Sequence, residues 1–206
     1  MMSGVASGRP RMLVLACGAI ARELNQVIAA LPGADITLEC LPGILHNRPE
    51  KIAPSVRERL AQSATSYDRV LVGYADCGTG GGLDTVIADW ANVERIPGAH
   101  CYEFFCGRAQ FATTNDPFTF YLTDYLARHF DLFVWRGLGL DRWPQLRDDY
   151  FGNYRRVVYL SQDPTMELIE SARHAAERLD LQFEHVHTGL GELGAVVKST
   201  LAGVST

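Results

Sequence analysis

The sequence has no concentration of positive charge. Its 19 lysines and arginines form no run longer than Arg155–Arg156, and they face 24 acidic residues for a net charge of −5. A nucleic-acid binder carries a basic patch or stripe that neutralises phosphates, so no nucleic-acid partner is expected. No apolar stretch approaches the roughly 20 residues that span a bilayer, so no membrane partner is expected either. The opening MMSGVASGRP lacks the apolar core of an export signal, which predicts a cytoplasmic location and a loose tail over residues 1–10. The five cysteines are odd in number and include no Cys-x-x-Cys pair. That argues against a disulfide framework and leaves them as thiols. No internal repeat and no low-complexity linker divides the chain, so residues 11–206 are expected to form one domain.

What is present reads as alternating strands and helices. RMLVLAC (Arg11 to Cys17) is an apolar run of strand length, and the next segment places Ile20, Leu24, Val27, Ile28 and Leu31 at helical spacing. ADITLECL reads as a second strand and LPGILHNRPE as a loop. Pro49 to Ala64 reads as a helix, with Asn47 and Glu50 as a capping pair. DRVLVGYA is a third strand and LDTVIADWA a short helix. After a middle of mixed pattern, YRRVVYL is a strand. The following helix runs to about Leu179, with Asp163 as N-cap and Pro164 at its first position. LQFEHVH and ELGAVVKSTLA give a last strand and a closing helix. This alternation predicts an α/β, Rossmann-like, three-layer domain with a mostly parallel sheet and helices on both faces. Ligands of such sheets bind beyond the carboxyl ends of the strands.

Three cysteines fall at that edge: Cys17 after the first strand, Cys77 after the third, and Cys101 after a short strand that ends near His100. Three thiols on separate loops leave a coordination position open. That suits a reactive zinc or a [4Fe–4S] cluster with one non-cysteine ligand. His46 and His100 are candidate additional ligands. Cys40 and Cys106 are expected to be structural, Cys40 as a buried thiol. CGTGGG after Cys77 lacks the Lys-Ser/Thr of a P-loop and the G-x-G-x-x-G spacing. Gly78 and Gly80 remain candidates for backbone contact to an anion or cofactor, and their main expected use is to let Cys77 approach a ligand. Asp76, Glu103 and Glu23 are acid-base candidates, with Asp76 and Glu103 beside the two best cysteines. Arg22, Arg108, Arg136 and Arg142 are candidate anion binders, with surface ion pairs as the ordinary alternative. His174, His185 and His187 read as structural or exposed.

Taken together and in order, LACGAIARE, LPGILHNRPE, VGYADCGTGGGLD, HCYEFF and GLGLDRWPQLRDDYFGNYRRVVYL resemble a bacterial and archaeal family, domain of unknown function 1638. In that family an Ala-Cys-Gly, a middle Asp-Cys-Gly or Leu-Cys-Gly and a later Asp-Cys or His-Cys pair recur, which the resemblance maps onto Cys17, Cys77 and Cys101. Its members often occur beside corrinoid-dependent methyltransferase systems, so the resemblance implies a role in methyl-group or one-carbon metabolism.

The expectation is therefore a metal-binding protein, an enzyme in the leading reading. It would use zinc or [4Fe–4S] as cofactor, act on a small-molecule substrate and meet a corrinoid only through a partner protein. A homo-oligomer is compatible with this. Two alternatives stay open. One is a metal-free enzyme with Cys77 or Cys101 as nucleophile, Cys77 being activated at a helix N-terminus. The other is a non-catalytic accessory protein that binds through aromatics such as Tyr102, Trp135 and Tyr154.

Overall fold

The computed structural model describes residues 9–203. Most of the expected tail therefore lies outside the described residues; Arg9, near its end, donates a hydrogen bond to the Gly33 carbonyl. Strand β1 (Arg11–Cys17) is buried from Met12 to Cys17, because a central parallel strand is covered on both faces and has no side to give to water. A 3-10 turn at Gly18–Ile20 leads into α1 (Ala21–Ala29), and β2 (Asp35–Leu41) follows. The segment after β2 forms two further 3-10 turns, Gly43–Asn47 and Pro49–Lys51. Helix α2 (Ile52–Ser63) thus begins later than Pro49, the residue at which the sequence pattern starts it. Asn47 does not cap α2; its side-chain amide donates to the Phe133 carbonyl at 3.1 Å. β3 (Arg69–Gly73), α3 (Gly82–Ile87) and β4 (Val93–Arg95) complete a sheet of order β2-β1-β3-β4 in which every pair is parallel.

The chain then passes through α4 (Cys101–Cys106) and α5 (Arg108–Thr114) into a second sheet. β5 (Thr119–Thr123), α6 (Asp124–Arg128), a π turn at Asp131–Trp135 and α7 (Leu146–Phe151) come first. β6 (Arg156–Ser161), α8 (Met166–Leu179) and β7 (Gln182–His187) follow, and the sheet order is β5-β6-β7, again parallel. α8 is capped by the Thr165 hydroxyl, which accepts from Leu168 N–H at 3.2 Å; Asp163, the cap that the sequence suggests, pairs with Arg22 instead.

The α/β class, the parallel strands and the layered helices are as expected. A single sheet is not what forms. Alternation of strand and helix dictates parallel pairing but not which strands meet. Here the three-residue β4 is an edge, and two helices separate it from β5. Each sheet has its own core cluster. The closing helix α9 (Leu193–Ala202) returns to the first, where it packs against α1 and β3, while α2 packs with α3. Leu193 and Val197 are fully buried there. At about 1.5–3 kcal/mol for each such side chain, α9 anchors the end of the chain to the first lobe. Glu192 just before it accepts from the Arg108 backbone at 3.0 Å and from its guanidinium at 2.9 Å.

Candidate functional site

In an open parallel sheet the crevice for a ligand lies where the strand order reverses. In β2-β1-β3-β4 that point is between β1 and β3. Cys17 is the last residue of β1, Cys77 lies just beyond β3, His46 lies in the turn after β2, and Cys101 opens α4 after β4. Each strand of the first sheet thus delivers one candidate donor to one edge. The four residues line a common cavity of about 20 Å3, together with Tyr74 and Phe104. That is room for one water-sized sphere or a single ion.

Cys17 Sγ accepts from Ala19 N–H at 3.3 Å and lies 3.4 Å from His46 Nδ1. The same Nδ1 is 3.3 Å from the Gly43 carbonyl. A carbonyl only accepts, so Nδ1 carries the proton and Nε2 keeps its lone pair. The one N–H is shared between the Gly43 carbonyl and the Cys17 sulfur, and only Nε2 is open to a metal or a proton.

Cys77 has φ +52°, a left-handed conformation that costs a residue with a Cβ about 1–2 kcal/mol. Its surroundings impose it. Asp76 and Cys77 donate backbone N–H groups to Gly98 and Ala99 carbonyls at 2.9 and 2.8 Å, which ties this loop to the one that carries Cys101. The Asp76 carboxylate accepts from Gly81 N–H at 2.8 Å, Gly80 N–H at 3.0 Å and Thr79 Oγ1 at 2.8 Å. The Gly81 bond above all holds this carboxyl below the usual range. The glycine loop does cradle an anion, and that anion is Asp76. Asp76 thus anchors the turn, and the Gly80 amide is already engaged. Gly78, at φ +81°, backs onto Pro49.

Glu103 is likewise occupied: Oε1 accepts from Ala99 N–H at 2.8 Å and His100 N–H at 3.2 Å, closing the first turn of α4. His100 is exposed at the N-cap of that helix and is not among the residues that line the thiol cavity. Both shape the loop that presents Cys101. Arg22 pairs with Asp163, Arg108 with Glu192, and Arg142 stacks over Trp143, so none of these three faces the cavity. Cys40 is exposed, contrary to its expected burial, because β2 is an edge strand; Cys106 is partly buried.

Burial dominates the protonation of the donors. It pushes the Cys17 thiol up to about 11 and the Cys77 thiol to about 12, with the charge on Cys17 adding to the latter. Cys101 is raised well above the ordinary thiol value by burial first, then by Cys77 and Cys17. Burial lowers His46 and keeps it neutral near pH 7. The helix-terminal activation expected of Cys77 is absent: α3 begins only at Gly82, and desolvation acts in the opposite direction.

Among the described residues, no three His, Cys, Asp or Glu side chains already stand as a finished metal-binding group. The donor chemistry still suits one thiophilic ion. Tyr74 is 1% exposed, and its hydroxyl finds no oxygen or nitrogen partner. It leans on the Cys17 sulfur, a weak acceptor, and lies in electrostatic reach of Cys77. A cavity of this size suits a single ion.

The thiol cavity shares Ala19, His46 and Cys101 with a second cavity of about 240 Å3, whose far wall comes from the second lobe. Tyr74 and Tyr125 are not distinguishable in the sequence as site residues, since a tyrosine in an apolar run looks like core, and Tyr102 stands out there only as a candidate docking aromatic. The one local signal is that Tyr74 and Tyr102 sit close to Cys77 and Cys101 in the chain.

The family model described as Protein of unknown function (DUF1638) matches residues 40–197. The chain belongs to the DUF1638 family. The matched span contains His46, Cys77 and Cys101, and Cys17 lies before it. No curated protein and no solved structure matches the chain. The DUF1638 description names no reaction, so the chemistry of this member rests on its own geometry. Among the described residues no helix is long and apolar enough to cross a membrane.

Proposed function

We propose that this DUF1638 protein binds one thiophilic metal ion, zinc foremost, through Cys17, Cys77 and Cys101. In this reading it is a metal-dependent transferase that handles a methyl or similar one-carbon group on a small substrate. The observation that carries the reading is the convergence of donors from all four strands of one sheet on a cavity that adjoins a larger chamber. A bound ion with three protein ligands keeps a position open and acts as a Lewis acid toward a thiol or water. The residues of the chain supply the rest. His46 Nδ1–H, shared between the Gly43 carbonyl and the Cys17 sulfur, orients the ring, and Nε2 is free to accept a proton from an arriving group. The second lobe supplies the apolar far wall of the chamber.

The one-carbon part of the reading rests on what the family resemblance implies, that members occur beside corrinoid-dependent methyltransferase systems. A corrinoid is far larger than about 240 Å3, so it would arrive on a separate protein. A reducing compartment such as the cytoplasm, which keeps five cysteines as thiols, suits this function. The metal-free nucleophile reading has less support, since buried thiols with raised pKa values supply little thiolate near pH 7.

The test is elemental analysis of untagged protein purified without oxygen. Close to one zinc per chain supports the proposal. Iron with sulfide and a broad absorption near ~400 nm would replace zinc by a cluster. Folded protein that contains no metal and takes up none would overturn it.

A further inference from the structure

The larger chamber has a wall of unusual chemistry. No aspartate, glutamate, lysine or arginine contributes to its lining. His46, its lining imidazole, is engaged through Nδ1 with Gly43 and Cys17. Asn47, the lining amide, is turned to the Phe133 carbonyl at 3.1 Å. The second lobe contributes mainly Phe120, Leu126, Phe133, Val134 and Leu138. Tyr125 Oη stands over Gly43, where a Cβ would come within 2.7 Å of it, so the absent side chain leaves the phenol its place beside the thiols.

Apolar walls without a counter-charge exclude ionised ligands, because a carboxylate or phosphate would lose its hydration and gain no partner. They admit hydrocarbon. An apolar cavity of about 150 Å3 suffices for benzene, so about 240 Å3 accommodates a substituted ring or its aliphatic equivalent. The end of the chamber that touches Cys101 and His46 is where a soft donor atom would meet a thiophilic ion.

We infer that the chamber is the binding site for a small, uncharged, largely apolar thiol or thioether, with its carbon body against the second lobe and its sulfur toward the three cysteines. The sulfur end rests on the metal reading proposed above; the uncharged, apolar body does not. Amino acids, nucleotides and sugar phosphates are thereby excluded as occupants of the chamber.

Calorimetry or ligand-observed NMR on the full chain, reduced and stripped of metal, tests the body of the ligand with toluene, benzyl mercaptan and phenylacetate. Toluene and benzyl mercaptan should bind, and phenylacetate at least about 100-fold more weakly. Leu138→Phe and Leu126→Trp, which fill the chamber from two different elements, should each weaken toluene by about tenfold, with circular dichroism confirming that they fold. Phenylacetate binding as tightly as toluene, or toluene binding undiminished in both filled variants, would overturn the inference. The zinc-loaded protein tests the sulfur end: benzyl mercaptan should gain at least about tenfold over toluene. Equal affinity for the two on zinc-loaded protein would overturn that end alone. Toluene binding by a protein that takes up no zinc would remove the metal reading and leave the apolar site standing.

Discussion

Beyond β5, β6 and β7 the second sheet ends in Asp124, Gln162 and Thr188, and these groups satisfy one another. Asp124 Oδ1 accepts from the Tyr159 hydroxyl at 2.6 Å and from Gln162 N–H at 3.1 Å, while Oδ2 accepts from Asp163 N–H at 2.8 Å. Gln162 Oε1 returns the contact by accepting from Asp124 N–H at 3.0 Å, and its Nε2 donates to the Leu160 carbonyl at 2.8 Å. Ser161 Oγ sits between His185 Nε2 at 2.9 Å and His187 Nδ1 at 3.1 Å. The equivalent edge of the first sheet holds one buried and two partly buried thiols, a buried Tyr74 hydroxyl with only the Cys17 sulfur to lean on, and a strained Cys77. Both edges come from the same strand-helix grammar. One is closed by hydrogen bonds, and the other is left with weak sulfur acceptors. Locally consistent structure is the default of a folded chain, and departures from it gather where function needs them.

The sharpest break of this comparison is at the thiols. Cys17→Ser, Cys77→Ser and Cys101→Ser should each cost more than about 100-fold in zinc affinity, since losing a ligand exceeds the 10–100-fold typical of its supporting groups. Cys40→Ser and Cys106→Ser should leave it unchanged, as measured by competition with a chromogenic chelator. Full zinc occupancy in all three of the first variants would erase the functional difference between the edges. At the other edge the expected effect is on stability. Asp124→Ala strands the Tyr159 hydroxyl and two backbone N–H groups, at about 2–4 kcal/mol in denaturant unfolding, with metal uptake preserved. An Asp124→Ala protein of unchanged stability that fails to bind zinc would show that this edge too belongs to the site.

The first edge is legible in the sequence because strands and cysteines coincide there: MLVLA and VLVG are continuous apolar runs, and each ends near a cysteine. The second edge is not. Asp124 looks like an ordinary helix-start acid, Tyr159 like core, and their bond joins residues separated by most of a βαβ unit. Nor does Asp76 announce that its partners are the glycine amides; an Asp beside a cysteine reads equally as a proton carrier, and only the φ values of the turn decide. The division into two sheets was hidden for the same reason, since periodicity reports the face of a strand and not its neighbour.

Glu23 joins the two halves and gives the comparison a pH test. It lies on α1, is 4% exposed, and its Oε2 has no partner. Burial raises its pKa, with the charge on Asp124 across the lobes adding to the effect. The unfolded chain therefore releases this proton at lower pH than the folded one, so folding stability falls as pH rises from the ordinary carboxylate range through the raised folded value. Glu23→Gln should be more stable than the parent at pH 7, with the gap closing toward pH 4. A gap that widens on acidification would mean that Glu23 is stabilised as a carboxylate.

The smallest expected effect separates strain from ligation at a single residue. If Cys77 is held in its left-handed conformation for the sake of its sulfur, replacing it by glycine removes the Cβ penalty as well as the thiol. Glycine also loses more conformational entropy on folding, so only part of the penalty of about 1–2 kcal/mol is recovered. Cys77→Gly should then be more stable than Cys77→Ser by about 0.5–1 kcal/mol in the metal-free state, while both fail to hold zinc. The serine variant is the right reference because it keeps the Cβ and the strain but replaces the sulfur. If Cys77→Gly is instead the less stable of the two, the turn from Asp76 to Gly81 is relaxed as it stands, and the left-handed residue is a consequence of the Asp76 hydrogen bonds rather than a cost tolerated for the site.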